Sequence, residues 1–245
     1  MLIDCHSHTP GISICCKSTI EEIIAVTKNV GIDGIVLTNH YSNYYIKDKG
    51  LYPDFKSLAR CYAEESRKTK EIGKQNGFKV FFGMEASMEN YGRTHMLIYG
   101  VEEDFLERHA ELCFYTQEEL YRAVHDNGGI MVQAHPMRKG KNVLLDPKFL
   151  DGVEISSCVF YDGTYYDQLS EFADKNRLIL TVGGDYHGGK YRTHCGMYIP
   201  DSIENEKQFV QYLRTADSFR LLMQETEDTE SFEKIFYRNK LDKGE

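Results

Sequence analysis

The sequence predicts an α/β fold, a single domain over residues 1–245 in which short strands alternate with helices. Eight short apolar runs rich in Ile, Val and Phe recur along the chain, and they are too short to be helices. Segments of helical periodicity lie between them. This alternation predicts parallel strands with crossover helices, in a barrel or an open sheet. The runs lie at residues 1–3, 35–37, 80–82, 96–99, 130–132, 153–155, 178–182 and 197–199.

Four segments carry the signals of helices. Ser18 opens the first with a capping-box pattern, apolar residues then fall on one face, and Gly31 ends the segment. Thr116 opens the second in the same way, and that segment runs to Asn127. The other two helical segments span residues 165–176 and 203–215.

The chain has 245 residues, and its 38 acidic against 29 basic residues give a net charge of −9. A surface this negative has no general attraction for phosphate backbones, which argues against nucleic acid as a partner. No apolar run approaches the roughly 20 residues that cross a bilayer, and the first residues show no signal-peptide pattern. We therefore expect a cytoplasmic protein with no membrane partner. The acidic stretch at 225–230 is expected to be a solvated turn before a last amphipathic segment around 232–237.

The cysteines argue against a disulfide framework. Their number is odd, seven, their spacing is irregular, and a chain of this length does not need covalent cross-links. No CxxC pair occurs, which excludes zinc-finger patterns. We expect reduced thiols, and the adjacent pair Cys15 and Cys16 is the one unusual feature.

Histidines and carboxylates cluster where the apolar runs end. The residues that follow the runs are, in chain order, Asp4, His6, His8, His40, Glu85, His135, Asp185 and His187. In a β/α barrel the carboxyl ends of the strands converge on one face, where the active site is built. His95 is the exception because it precedes its run. The alternative is that these residues are only polar caps on the strand ends.

Converging imidazoles and carboxylates are the ligand set of Zn²⁺, Mn²⁺ or Fe²⁺. The spacing of His6 and His8 suits such a site, because residues two apart on an extended segment face the same side. Asp185 and His187 repeat that spacing. The sequence therefore predicts a metal centre at one face of the barrel.

These motifs follow the order found in the PHP (polymerase and histidinol phosphatase) domain, which the sequence resembles from residue 1 to about residue 200. The shared motifs are Asp4-x-His6-x-His8, Thr38-Asn39-His40, Gly83-Met84-Glu85, His95-Met96-Leu97, Ala134-His135-Pro136 and Gly184-Asp185-Tyr186-His187. The resemblance implies a distorted seven-stranded, TIM-like (β/α)7 barrel. It also implies a trinuclear metal centre and hydrolysis of phosphoesters.

The resemblance further implies how two to three divalent Zn, Mn or Fe ions would be held. A first metal would be bound by His6, His8, Glu85 and Asp185. Glu85 would bridge to a second metal, which His95 and His135 would also bind. His40 and His187 would bind a third.

One departure from the family pattern concerns this third site. The family usually has a further His or Asp there, whereas this chain has neither, and Cys15 falls where that His often lies. Because a thiolate can replace an imidazole on zinc, we expect Cys15 to be a ligand, with Cys16 as the fallback. The alternatives are that both thiols are small buried hydrophobic groups or that the third site is weak. Asn39 stands where the family often has Asp, a change that we interpret as supporting the ligands without the charge.

Metal ions in such a centre acidify a bridging water and stabilise charge on the phosphoryl oxygens. Asp4 is expected to hold a ligand imidazole by a hydrogen bond, or else to cap its strand. Arg138 is expected to bind two phosphate oxygens, because it follows His135 by three residues and a guanidinium is forked. Weaker candidates for the substrate are Lys139, Lys141, Lys190 and Arg192, with Tyr41, Tyr44, Tyr45 and Tyr186 able to stack on a ring.

We therefore expect a metal-dependent phosphoesterase that acts on a small phosphorylated metabolite, with histidinol phosphate named by the resemblance alone. A phosphodiesterase or nuclease of the same family, an amidohydrolase-like metal hydrolase and a non-catalytic metal-bound module are the alternatives. The remaining histidines, His109, His125 and His194, are expected to be structural. Nothing in the sequence indicates an oligomeric state.

Overall fold

A curled sheet forms the centre of the molecule in a computed structural model, which describes residues 1–92, 94–138, 144–157, 165–189, 192–225 and 228–238. Within these ranges the sheet has eleven strands. They are β1 (Leu2–Ser7), β2 (Gly34–Leu37), β3 (His40–Tyr41), β4 (Lys79–Met88), β5 (Thr94–Tyr99), β6 (Ile130–Gln133), β7 (Gly152–Ser156), β8 (Ile179–Gly183), β9 (Gly196–Tyr198), β10 (Ser218–Met223) and β11 (Phe232–Tyr237). Each of the eight predicted runs lies in or overlaps one of these strands.

Seven of the strands form a nearly closed barrel in the order β1, β2, β4, β5, β6, β7 and β8. The seam between β8 and β1 is closed by a parallel bridge between Ser7 and Tyr186. A side chain on Gly183 would come within 2.4 Å of the His6 Cβ, so only glycine allows this close approach. The predicted α/β class and distorted seven-stranded barrel are confirmed.

The expectation of an all-parallel alternation is wrong at β5. This strand runs antiparallel to both of its neighbours, β4 and β6. A short 3₁₀ turn at Glu89–Tyr91 joins β4 directly to β5, so no crossover helix separates them. Because β5 is reversed, its amino end lies at the barrel mouth where the other strands end. This reversal explains why His95 precedes its apolar run.

Three further strands extend the sheet outside the barrel. β9 pairs antiparallel with β1, and β10 pairs antiparallel with both β9 and β11. The predicted amphipathic segment at 232–237 is therefore an edge strand, β11. The sequence analysis did not anticipate β10.

The helices are α1 (Ile20–Asn29), α2 (Tyr44–Lys47), α3 (Phe55–Gln75), α4 (Phe105–Arg108), α5 (Gln117–Asp126), α6 (Tyr165–Asn176) and α7 (Glu206–Thr215). The capping box of α1 joins Thr19 and Glu22, one residue later than the pattern at Ser18 predicted. Thr116 caps α5 through a capping box, as predicted. All four predicted helical segments are present.

The 21-residue helix α3 was not predicted from the sequence. Its buried face includes small and polar residues such as Ser66, Thr69 and Gly73 beside the apolar ones. The Tyr62 hydroxyl anchors this helix to the barrel mouth by donating to the carbonyl groups of Asn39 and Gly83. No helix in the described ranges combines the length and the apolar character needed to cross a bilayer.

Candidate metal centre

Glu85 is the centre of the histidine cluster at the barrel mouth, and its side chain is buried. The pairing of β3 with β4 places His40 opposite Glu85, and its Nδ1 lies 2.5 Å from Glu85 Oε2. His95 Nδ1 lies 2.6 Å and His135 Nε2 2.9 Å from the other carboxylate oxygen, Oε1. One carboxylate thus contacts imidazoles from three different segments of the chain.

A second group of ligand atoms surrounds the same carboxylate. His6 Nε2 lies 3.5 Å from Glu85 Oε2 and 3.4 Å from Asp185 Oδ1. His8 Nε2 lies 3.6 Å and 3.1 Å from the same two atoms. Around a tetrahedral zinc ion with bonds of about 2.0–2.1 Å, neighbouring ligand atoms are about 3.3–3.4 Å apart. These four side chains therefore fit one metal ion.

Two buried atoms in this group lack any hydrogen-bond partner in the described structure, His6 Nε2 and Glu85 Oε2. The nearby His40 ring nitrogen does not satisfy Glu85 Oε2, because their contact lacks hydrogen-bond geometry. Leaving buried polar atoms unpaired is costly. A cation bound between these two atoms would interact with both and remove this cost. The residues present therefore fit a metal ion.

The ring of His6 is oriented by a residue that the sequence analysis missed, Glu154 on β7. His6 Nδ1 donates to the Glu154 carboxylate at 2.9 Å, which turns Nε2 toward the cluster. Glu154 also accepts the backbone N–H of His135 at 2.8 Å. A glutamate inside the apolar run 153–155 was the available signal, since a buried strand seldom carries an unpaired carboxylate.

The ring of His8 is oriented through Ser13 and Asn39. Ser13 Oγ donates to Asn39 Oδ1 at 2.9 Å, so it must accept from His8 Nδ1 at 3.2 Å. The Asn39 amide in turn donates to Thr9 Oγ1, which donates to Glu65. This network leaves His8 Nε2 facing Asp185 Oδ1. The Asn39 side chain thus orients the His8 ring through Ser13, and the Asn39 backbone carbonyl oxygen accepts the Glu85 backbone N–H at 3.0 Å.

Electrostatics at the mouth favour a bound cation. Burial lowers the pKa of His6, but the carboxylates of Glu154, Asp185 and Glu85 outweigh it and raise that pKa well above its usual value. Burial raises the pKa of Glu85, yet the charges of His95, His40 and His6 hold it well below its usual range. The field that retains a proton on His6 is one that would also retain a metal ion.

A third group comprises ring nitrogens of His8, His40 and His187, which all lie within 4.8 Å of one another. The two Nε2 atoms of His40 and His187 are 3.3 Å apart. His187 Nδ1 donates to the Asp185 carbonyl oxygen at 2.8 Å, which leaves Nε2 available as a ligand.

The two adjacent cysteines lie in different environments. Cys15 is exposed at the mouth, beside His187. Burial lowers the pKa of His187, but a hydrogen bond with the Cys15 thiol and the charge of Asp185 raise it overall. Cys16 is buried, and its thiol contacts the carbonyl oxygen of His8 at 3.5 Å. The fallback assignment of Cys16 is wrong, because its sulfur faces backbone and core rather than the cluster.

Asp4 does not hold an imidazole, which corrects the expectation from the sequence. Its carboxylate accepts the backbone N–H groups of His6 and Gly184 at 2.9 and 2.8 Å and pairs with the buried guanidinium of Arg192. Burial raises the pKa of Asp4, and Arg192 opposes that effect. Asp4 thus ties β1 to the segment after β8. Arg192 is consequently committed to Asp4 and is not exposed for a substrate.

Arg138 lies at the mouth, with Nη1 3.9 Å from Asp185 Oδ2 and about a third of its side chain exposed. Lys139, Lys141 and Lys190 lie outside the described residues. Tyr41 and Tyr186 make hydrogen bonds within the fold, whereas Tyr44 and Tyr45 line a cavity beside His40. His109, His125 and His194 contact Tyr115, Asp151 and Ser231, away from the cluster.

Two residues of the cluster have an unusual backbone conformation. His135 and Asp185 have positive φ angles, 29° and 48°, in a region that residues other than glycine rarely occupy, and Met137 and Arg177 share this feature outside the cluster. Such strain concentrates at functional sites, where the surrounding structure holds it in place.

No family model matches the sequence, and no curated protein matches it. Solved structures do match. A two-domain protein from Bacteroides vulgatus containing a predicted PHP-like metal-dependent phosphoesterase superposes with a TM-score of 0.63 at 15% identity, covering 91% of this chain and 64% of that one. This chain thus spans less than two thirds of that protein's length.

Two smaller proteins are also similar. A putative metal-dependent phosphoesterase from Bifidobacterium adolescentis has a TM-score of 0.53 at 15% identity, covering 88% of this chain and 96% of that one. An amidohydrolase from Chromobacterium violaceum, with bound sulfate and no metal, has a TM-score of 0.52 at 15% identity, with coverages of 87% and 97%. The chain therefore has the fold of the PHP-like metal-dependent phosphoesterases.

Proposed function

We propose that this protein is a metal-dependent phosphoesterase that hydrolyses a small phosphomonoester. The observation that carries the proposal is Glu85, a buried carboxylate in contact with imidazoles, whose Oε2 has, like His6 Nε2, no hydrogen-bond partner in the described part of the chain. Two or three transition-metal ions, when bound, would activate water and neutralise the phosphoryl oxygens. The similarity in fold to PHP-like phosphoesterases supports the same conclusion.

Different residues of the chain would bind the metal ions, orient the metal-binding rings and bind the substrate. His6, His8, Glu85 and Asp185 would hold one ion, Glu85 with His95 and His135 a second, and His40 with His187 a third. Glu154 and Ser13 would keep the rings of His6 and His8 aimed at the ions. Arg138 would bind the phosphoryl oxygens, because its guanidinium lies at the mouth beside Asp185.

Hydrolysis would break the bond between phosphorus and the leaving oxygen. Water would supply its oxygen and one hydrogen to phosphorus, and its other hydrogen would go to the leaving group. An amidohydrolase is the second candidate, because one structure of similar fold has that activity in its name. Phosphodiesters, including nucleic acids, are a third class of substrate to be tested.

The experiment is elemental analysis of the purified protein together with a substrate screen in added Mn²⁺ or Zn²⁺. The screen compares phosphomonoesters, including histidinol phosphate, with bis(p-nitrophenyl) phosphate and with amides. We expect two to three metal ions per chain and release of phosphate from monoesters. Faster cleavage of the diester or of amides would overturn the proposal in favour of the corresponding alternative.

A further inference from the structure

A cavity of about 490 Å³ adjoins the candidate metal centre. His40 and His95, two members of the cluster, form part of its wall. The volume falls in the range of about 300–1,000 Å³ that is typical of small-molecule sites. A phosphoryl group at the metal centre would therefore have its leaving group in or next to this cavity.

Another part of the cavity wall is aromatic and apolar. Tyr44 and Tyr45, at the start of α2, lie with ring centroids 5.9 Å apart and ring planes tilted by 57°. Tyr45 is buried, whereas Ile14 on the rim is 45% exposed despite its size. A flat ring bound in the cavity could pack against the exposed parts of these tyrosines and cover Ile14.

One charged side chain lies beside these aromatic residues in the cavity. Lys49 is the only Lys, Arg, Asp or Glu among the described residues that line the cavity, and its Nζ lies 5.4 Å from the Tyr44 ring centroid. In the described residues Lys49 forms no ion pair with a carboxylate. Its ammonium group is therefore available to an anionic ligand.

The cavity at the opposite end of the barrel provides a contrast. It has about 520 Å³ and includes three basic residues, Arg67, Lys70 and Lys207. All three are paired with glutamates of the same cavity, at distances of 2.5–3.7 Å. Those cations are neutralised by carboxylates of the chain, whereas Lys49 has no such carboxylate partner among the residues that the structure describes.

We propose that the cavity beside His40 and His95 binds the leaving group of the substrate, and that this group is a flat ring bearing an anionic substituent. The ring would lie against Tyr44 and Tyr45, and the anion would pair with Lys49. This inference rests on the proposed phosphomonoesterase function and narrows its substrate class. It disfavours histidinol phosphate, whose leaving group carries an ammonium group that Lys49 would repel.

The test compares two substrates that differ in one anionic group, phenyl phosphate and 4-carboxyphenyl phosphate. We expect the metal-loaded wild type to have the higher kcat/KM for the carboxylated substrate. Lys49→Met should lower the ratio of the two kcat/KM values about three- to fivefold, the size of a partly exposed ion pair. Lys49→Glu should lower it further, and Lys49→Arg should retain it.

The matched control is Lys47→Met, because Lys47 is an exposed lysine at the end of α2, two residues before Lys49, and does not line the cavity. This control should leave the ratio unchanged. Tyr44→Ala should raise KM for both aryl phosphates relative to ethyl phosphate. An unchanged ratio in Lys49→Met, or an equal change in Lys47→Met, would overturn the proposal.

Failure of the proposed function would give a different result. In that case the metal-loaded wild type would release phosphate from neither aryl substrate. Calorimetric titration with 4-carboxyphenyl phosphate would then test the cavity alone. Binding that Lys49→Met weakens would support the cavity without the activity, and absence of binding by the wild type would overturn the inference too.

Discussion

A carboxylate at each end of the barrel faces basic groups, but the two ends differ in how those groups are satisfied. At the end opposite the mouth, Glu206 accepts from the Phe82 backbone N–H and from Lys70 Nζ, both at 2.7 Å. At the mouth, Glu85 contacts several imidazoles, and its Oε2 has no hydrogen-bond partner among the described residues. Glu206 is therefore satisfied by groups of the chain itself, whereas the arrangement around Glu85 fits a bound cation.

Removal of the metal ions is expected to have the largest effect, on both activity and stability. Chelation should lower phosphoester hydrolysis by about a hundredfold or more, because the ions activate the water and stabilise the transition state. With metal at about a thousand times its Kd, the lost binding is worth ~4 kcal/mol, a fall in Tm of about 8–16 °C. Calorimetry and phosphate release with and without EDTA would measure both. Full activity in metal-free protein would contradict the assignment.

Changing Glu154 should affect metal binding next most strongly. Glu154→Gln keeps the shape but weakens the hydrogen bond to His6 Nδ1, so metal affinity should fall about 10–100-fold. Competition with a chromophoric chelator measures this affinity. Glu206→Gln serves as the matched control at the end opposite the mouth and should leave the affinity unchanged. Equal metal affinities in Glu154→Gln and wild type would show that the hydrogen bond from His6 to Glu154 does not contribute to metal binding.

Arg138 tests whether the mouth binds phosphate through a side chain as well as through ions. Arg138→Ala should lower kcat/KM about tenfold with metal content unchanged, and Arg138→Lys should recover only part of it, because an ammonium cannot bind two oxygens in a fork. Steady-state kinetics with elemental analysis would check this. Kinetics identical to wild type would assign Arg138 to ordinary surface.

The adjacent cysteines provide a sharper comparison within the mouth. If Cys15 is a ligand of the third ion, Cys15→Ser should lose one metal equivalent, and Cys15→His should retain all of them. Zinc should protect Cys15 from iodoacetamide, and chelation should restore its reactivity. Cys16→Ser is the control, since the Cys16 thiol faces the His8 carbonyl. Full metal content in Cys15→Ser would leave the third ion to His40 and His187.

Substitution of Glu206 should have the smallest effect of the changes considered. It should alter the free energy of unfolding and leave activity and metal binding unchanged. Burial raises the pKa of Glu206, but Lys70 and the Phe82 N–H outweigh burial and lower it below its usual value. Its ionised form therefore stabilises the fold above the unfolded pKa, and this contribution is lost as pH falls through the lower folded pKa. Glu206→Gln should lower the free energy of unfolding by about 1 kcal/mol at pH 7.

Urea unfolding at pH 7 and at pH 3 would test this pH dependence. The difference between Glu206→Gln and wild type should shrink toward zero at the lower pH. A difference that grew on acidification would contradict the sign derived from the lowered pKa.

The sequence by itself determined the strand–helix alternation and the histidines and carboxylates that gather at one face. These features are local, because apolar runs such as 178–182 and capping boxes such as that of Thr116 depend on neighbouring residues. Helix α3 was not predicted, although its apolar residues fall on one buried face. The tertiary structure revealed the reversal of β5, which brings His95 to the mouth.

Only the tertiary structure decided which residues support the ligands. Glu154 lies 148 residues from His6 along the chain, and Arg192 lies 188 residues from Asp4. The sequence favoured Cys15 over Cys16 by position alone, and only the structure shows that Cys15 is exposed beside His187 whereas Cys16 is buried. Such contacts depend on how the barrel closes between β8 and β1, and closure is a property of the whole sheet rather than of any segment.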